Sequence, residues 1–396
     1  MHILLMALQQ EGEGAGAPPG TSAQLARVEA EQALAMTEAL REDGCFTPLL
    51  VCRRGAWLHQ RAAERGLPIL PMGGAGDVAG LVRLWRWQRR CDFLIIQTVG
   101  EAALSLSRRV LGMRKKGSAH LAHAFFVRPP APDVARGRPL RAASRVFCGS
   151  EHVRSSLHEL WQDLPAKRRP DALLDLLAPG LPLADYPPAP EIERGETGRP
   201  VFGMGESLEP NSGALAVVRA MAALWQREDL PPWEVRMFGS GPRFAEILHE
   251  AESLGVAGRL SILGEQPPEV LGQCSAWLAP GTSPEEMPQT LWAGIALGVP
   301  LICALSPLHR ERLAGAPPHA AVRIRESDPQ ALARAMIAVM RDERLRARLR
   351  RAGESLRPGI GLEAMAGRFL AFCGEVAAGV AHRIERPNGL DQGTER

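Results

Sequence analysis

MFGSGPRFAEILHEAESLGVAGRLSILGEQPPEVLGQCSAWLAPGTSPEEMPQTLWAGIALGVPLICA, residues Met237–Ala304, alternates short apolar runs with segments of helical period. Glu234–Gly239 reads as a strand, Arg243–Leu254 as a helix and Arg259–Leu263 as a strand. Pro268–Gln273 follows as a short helix, Ala276–Ala279 as a strand, Pro288–Leu297 as a helix and Val299–Ala304 as a strand. Parallel strands can be joined only by long crossovers, normally helices, so this alternation predicts a parallel α/β sheet. Immediately upstream, strand Val201–Gly205 and helix Ala214–Gln226 add another unit.

The same grammar runs through the first half. His2–Leu8, Thr47–Cys52, Pro68–Pro71, Phe93–Gln97, Ser118–Ala124 and Arg145–Cys148 read as strands. Ser22 is placed to cap a helix running to about Arg41, Leu58–Arg65 and Leu81–Arg90 read as helices, and Ser150 caps one that begins at Glu151. Between the halves, six prolines (Pro179, Pro182, Pro187, Pro188, Pro190 and Pro200) mark a linker. The expected domains are 1–185, a linker over 186–199, a second domain over 200–361, a terminal helix over 362–381 packing back on the first domain, and a loose polar tail over 382–396. Open parallel sheets bind ligands at the carboxyl ends of their strands, so the cleft between the halves is the expected site.

Composition narrows the classes. The chain has 396 residues with 45% hydrophobic content, enough for two or three cored domains and unlike a disordered or disulfide-stapled chain. A net charge of +3 and 5% aromatics argue against a nucleic-acid protein. The seven cysteines are scattered, with no Cys-x-x-Cys pair, so no metal site is expected and a reducing cytoplasmic setting is. No basic, signal-like leader and no apolar run of membrane-spanning length stand out. From Arg108 to Arg145, ten basic residues face one acid, Asp133. With Leu81, Trp85 and Trp87 beside Arg83, Arg86, Arg89 and Arg90, they predict a basic surface for anionic lipid or a phosphorylated saccharide, or simply a solvated arginine-rich face.

Three landmarks in the second half, Gly239-Ser240-Gly241-Pro242, Pro267-Pro268-Glu269 and Gly298-Val299-Pro300, resemble the donor half of family-4 retaining glycosyltransferases, the glycosyl transferases group 1. His120-Leu121-Ala122-His123, Ser150-Glu151 and Ala178-Pro179-Gly180 are similar to that family's first-half strand end, helix start and hinge turn. The resemblance implies a GT-B fold of two Rossmann-like domains. It also implies transfer of a sugar from a nucleotide diphosphate donor to a saccharide or lipid-linked acceptor, with retention. No metal and no cofactor are implied, the nucleotide sugar being a substrate, and the setting is cytoplasmic or peripheral at the inner membrane face.

Carried over residue by residue, the resemblance assigns Glu285 and His123 to catalysis. It assigns Gly205, Gly241, Arg243, Glu286, Met287, Pro288, Gln289 and Thr290 to donor binding. Counting back from Gly298 gives Glu285 as the carboxylate that meets sugar hydroxyls, whereas counting forward from Pro280 leaves Glu286 as a competing assignment. Gly14 and Gly16 lie in the loop Glu11–Gly20 after the first strand, where backbone N–H groups can approach a phosphate, although Glu11 and Glu13 oppose one.

The donor motif is degenerate. The expected phosphate-gripping Arg and Lys are Glu206 and Ser212, and the expected ribose carboxylate is Ala293. Substitute cations would be Arg243, Arg128, His309 or Arg310. Two alternatives follow: a catalytically silent GT-B-like binding protein, and, less favoured, a sugar-nucleotide epimerase, which would require acid/base carboxylates from both halves.

Overall fold

In a computed structural model, the structure describes residues 1–8, 21–74, 76–91, 94–112, 119–137, 140, 142–169, 172–188, 199–205, 208–264, 266–284, 288–325 and 328–384. Two parallel sheets organise it. The first contains β1 (His2–Ala7), β2 (Thr47–Arg53), β3 (Ile69–Met72), β4 (Leu94–Val99), β5 (Ala119–Phe125), β6 (Arg145–Cys148) and β7 (Leu173–Leu176), in the order β3-β2-β1-β4-β5-β6-β7. The second contains β8 (Val201–Met204), β9 (Glu234–Met237), β10 (Leu260–Ile262), β11 (Ala276–Ala279), β12 (Leu301–Ala304) and β13 (Val322–Ile324), in the order β10-β9-β8-β11-β12-β13.

Helices cover both faces of each sheet. In the first domain they are α1 (Thr21–Asp43), α2 (Trp57–Glu64), α3 (Val78–Gln88), α4 (Leu104–Gly112), α5 (Pro132–Ala135) and α6 (Glu151–Gln162). In the second they are α7 (Ala214–Trp225), α8 (Phe244–Ser253), α9 (Pro268–Leu271), α10 (Pro288–Ala296), α11 (Pro307–Arg312), α12 (Pro329–Arg341) and α13 (Glu343–Leu356). This two-sheet arrangement is the GT-B architecture. The central strands are apolar on both sides, as sheets sandwiched by helices must be. Leu5 and Ile95 face the layer containing α1, and Leu4, Met6 and Ile96 face the layer with Leu84 of α3 and Leu106 of α4.

The terminal helix α14 (Leu362–Ile384) returns to the first domain. Met365, Phe369, Phe372 and Cys373 are buried in the core beneath α1, with Phe147 edge-on to both phenylalanines. The sequence pattern does not show β7, β13, α4, α5, α11, α12 or α13. The two strands lie at sheet edges and alternate only weakly: β7 has no fully buried residue.

Candidate active site

In each sheet the strand order reverses beside the first strand of its domain, between β1 and β4 and between β8 and β11. Loops leaving those neighbours diverge to opposite faces and open a crevice at the carboxyl ends, where such sheets hold ligands. On the donor side the loop after β8 meets the loop after β11: Thr282 N–H donates to Asn211 O at 3.0 Å. Gly213 starts α7 at φ 80°, and a Cβ there would lie 2.8 Å from Pro280. The loop is also pinned to the Gly-x-Gly-Pro turn, with Leu208 N–H donating to Ser240 O at 3.0 Å and Arg243 N–H to Leu208 O at 3.1 Å. Helices α7 and α10 therefore begin beside the switch point, where helix N-termini suit a diphosphate; at α7 the Ala214 N–H donates to Ser212 Oγ at 3.4 Å.

The structure gives the named glycines local packing tasks. Gly205 packs against Trp277, whose Cζ2 would sit 2.5 Å from an added Cβ, and Gly241 lies against the Leu208 backbone, 2.7 Å from one. Arg243 is tied to Glu246 at 3.1 Å and to Pro210 O at 3.3 Å. It borders a small cavity of about 190 Å³ lined also by Asn211, Ser212, Gly213 and Thr282. Thr290 is buried, and its carbonyl accepts the Trp277 indole N–H at 2.7 Å. Pro288 and Gln289 open α10. Glu285, Glu286, Met287, Gly14, Gly16 and Glu206 lie outside the described residues.

The structure places three further groups. Ala293, at the position of the family's ribose carboxylate, is 1% exposed in a closed cluster with Trp277, Trp292 and Ile295. A charge there would be buried. His309 is 1% exposed, with Nδ1 2.8 Å from Ala304 O, so it serves α11 rather than a phosphate. Within the basic stretch, Arg136 stays exposed and pairs with Asp163 at 3.6 Å, whereas Arg145 is half-buried and pairs with Asp175 at 2.8 Å.

A larger cavity, about 1280 Å³, opens near Val201, Glu234, Ser275 and Val299. These residues begin the strands of the second sheet, so it lies on the side opposite the switch point, and its size does not make it the donor site.

On the other wall, His123 on β5 is fully buried, with Nδ1 2.5 Å from Thr98 Oγ1. Beyond β4, Gly100 adopts φ 71° and leaves room for the Glu29 carboxylate, whose Oε2 lies 2.2 Å from where a Cβ would stand. Burial pushes the Glu29 carboxyl up to about 7, with Arg128 opposing and Glu101 reinforcing the shift. A carboxyl that changes charge near neutrality is suited to general acid/base work. Glu101 itself accepts from Ala131 N–H. Sequence spacing gave no sign of this trio, because α1, the β4 end and the β5 end contribute one residue each.

The cleft is also bridged. Glu311 of α11 accepts the Glu151 N–H at the start of α6 at 2.9 Å, joining the two domains across the opening. Burial raises the Glu311 carboxyl, and the Glu151 amide opposes that shift.

Two crevice-forming parallel sheets define a GT-B protein. Residues 188–356 match the family model described as Glycosyl transferases group 1. The chain is similar to HepE from Anabaena in complex with UDP, at 15% identity and a TM-score of 0.67, covering 95% of this chain and 100% of that one. It is similar to a glycosyltransferase from Rickettsia africae at 14% identity and a TM-score of 0.68, covering 95% and 98%. Sucrose-phosphate synthase from Thermosynechococcus elongatus follows at 14% and 0.63, covering 96% and 99%. No curated protein sequence matches the chain. The match of residues 188–356 to that family model, together with the fold, supports a GT-B glycosyltransferase.

Proposed function

We propose that the protein transfers a sugar from a nucleoside diphosphate sugar to a saccharide or lipid-linked acceptor, with retention and without a metal or cofactor. The observation that carries the reading is the donor-side switch point, where the loops leading to α7 and α10 meet through Thr282 N–H and Asn211 O inside the segment that matches the family model. HepE, of like fold, is described in complex with UDP. In this reading Glu285 or Glu286 meets the sugar hydroxyls, and backbone N–H groups carry the leaving diphosphate in place of the missing Arg and Lys. Fixed dipoles suit that task because negative charge grows on the diphosphate as the glycosidic bond breaks. His123, locked to Thr98, supplies an oriented imidazole on the opposite wall. The natural setting is the cytoplasm, and a lipid-linked acceptor would bring the protein to the membrane's inner face.

Calorimetry with UDP-, GDP- and ADP-sugars tests the donor assignment. One donor is expected to bind with a Kd below about 1 mM. Failure of all three would overturn it. The burial of Ala293 favours a second reading, a GT-B-like binding protein without turnover. Release of sugar from a bound donor would eliminate that alternative.

A further inference from the structure

Helix α3 packs one face on the core and carries an apolar stripe on the other. Its inner face buries Gly80, Leu84 and Gln88, with Leu84 in the core beside Leu106 and Val110 of α4. Its outer face should be polar on a helix that meets only water, yet Val78 is 72% and Val82 42% exposed. At about 100° per residue, positions 78, 82, 85 and 89 fall within about 60° of one another, so Val78, Val82, Trp85 and Arg89 form one outward stripe. Trp85 is half-buried, with the Arg89 guanidinium 4.9 Å over its ring.

Along α3 itself the charges have one sign. Arg83, Arg86, Arg89 and Arg90 are exposed, and Val78–Cys91 contains no acid. Arg108 and Arg109 are exposed on neighbouring α4, and no acid occurs from Ala102 to Gly112. Asp77, at the head of α3, is already held by the Gly73 and Gly80 amides. An apolar stripe with an aromatic at its middle and arginines along one flank fits the boundary between headgroups and acyl chains. No helix among the described residues is long and apolar enough to cross a membrane, so the geometry is one of lying on a surface.

We propose that the outer face of α3, with the arginines of α4 beside it, docks the protein on an anionic phospholipid bilayer, with Val78, Val82 and Trp85 entering the interface and the arginines meeting the headgroups. This goes beyond the donor assignment and does not depend on it.

The test is co-sedimentation of the full chain with vesicles of phosphatidylcholine, with and without phosphatidylglycerol, at low and high salt. Binding is expected only with phosphatidylglycerol, and should weaken as salt screens the arginines. Val78→Asp/Val82→Asp and Arg86→Glu/Arg89→Glu should each lower it by about tenfold or more. Arg344→Glu/Arg348→Glu, the same charge change on the exposed face of α13, should leave it unaltered. Circular dichroism confirms that the variants are folded, and brominated lipid should quench wild-type fluorescence more than that of Trp85→Phe. Any of three results overturns the proposal: no binding to anionic vesicles at low salt, an equal loss in the α13 variant, or full binding by Val78→Asp/Val82→Asp. Calorimetric donor binding, measured without lipid, separates such a failure from failure of the transferase reading.

Discussion

Trp277 organises the donor domain at the scale of single residues. It is fully buried and stacked on Phe238 at 6.0 Å, and Gly203, Gly205 and Gly294 each give way to its ring. Trp277→Ala is expected to cost about 3–5 kcal/mol in urea unfolding, because the cavity it leaves is walled by glycines that cannot fill it. Gly205→Ala should cost about 1–3 kcal/mol by overpacking the same ring. Across the cleft, Glu29 provides a test by pH. Its folded value of about 7 lies above the ordinary 4.5, so the folded state holds the extra proton between those values. Stability therefore falls as pH rises from about 4.5 to about 7 and is level above that range. Glu29→Gln should flatten this part of the Tm–pH profile and raise Tm at pH 8 relative to wild type. Sequence order could place Gly205 at the end of a strand but could not show that the nearest atom would be an indole, 72 residues further along. Ala293 was likewise legible as a departure from a motif, but not as part of a sealed core.

Among elements, the crossover between domains carries the long-range order. Gln32, fully buried on α1, donates to Gly180 O at 2.9 Å and accepts from Gly180 N–H at 2.8 Å. The chain passes the junction twice, and the passes pair: Leu181 N–H donates to Ile360 O at 2.8 Å and Leu362 N–H to Leu181 O at 3.0 Å. Arg357 ties them to the donor domain by donating to Leu183 O, Tyr186 O and Ala296 O. Gly180 is required by close approach, since a Cβ would stand 2.6 Å from Gly361 O. Arg357→Met keeps much of the stem but strands three partly buried carbonyls. It should cost about 2–4 kcal/mol and split a single thermal transition into two, read by calorimetry. The alternating runs announce most strands and helices, because periodicity is a local property; most of the expected linker, 189–198, lies outside the described residues. The clamp was invisible for the opposite reason: Gln32 and Gly180 are 148 positions apart, and no periodicity links them. Edge strands β7 and β13 were missed because an edge needs neither a continuous apolar run nor clean alternation.

For the whole molecule, the question is what holds the two domains at their present separation on the cleft side, away from the clamp. Glu311 answers it, reaching from the second domain to the N-terminus of α6 in the first. A carboxylate at a helix N-terminus gains typically 0.3–1 kcal/mol, and up to about 2 kcal/mol when partly buried. That is small beside a core but enough to move an open–closed equilibrium by about 2- to 30-fold. Glu311→Ala is therefore expected to enlarge the radius of gyration in solution scattering while leaving the far-UV spectrum and the clamp intact. If the donor is bound between the domains, the same variant should weaken donor binding by a factor within that range, since the closed state must then be reached at greater cost. Glu311→Gln retains an acceptor oxygen without the charge and should fall between the two. Arg334→Ala, an exposed arginine on α12, should behave as wild type. A Glu311→Ala variant that scatters like wild type would mean that the Gln32–Gly180 and Arg357 contacts alone fix the domain angle, and that the bridge across the cleft follows closure without helping to hold it.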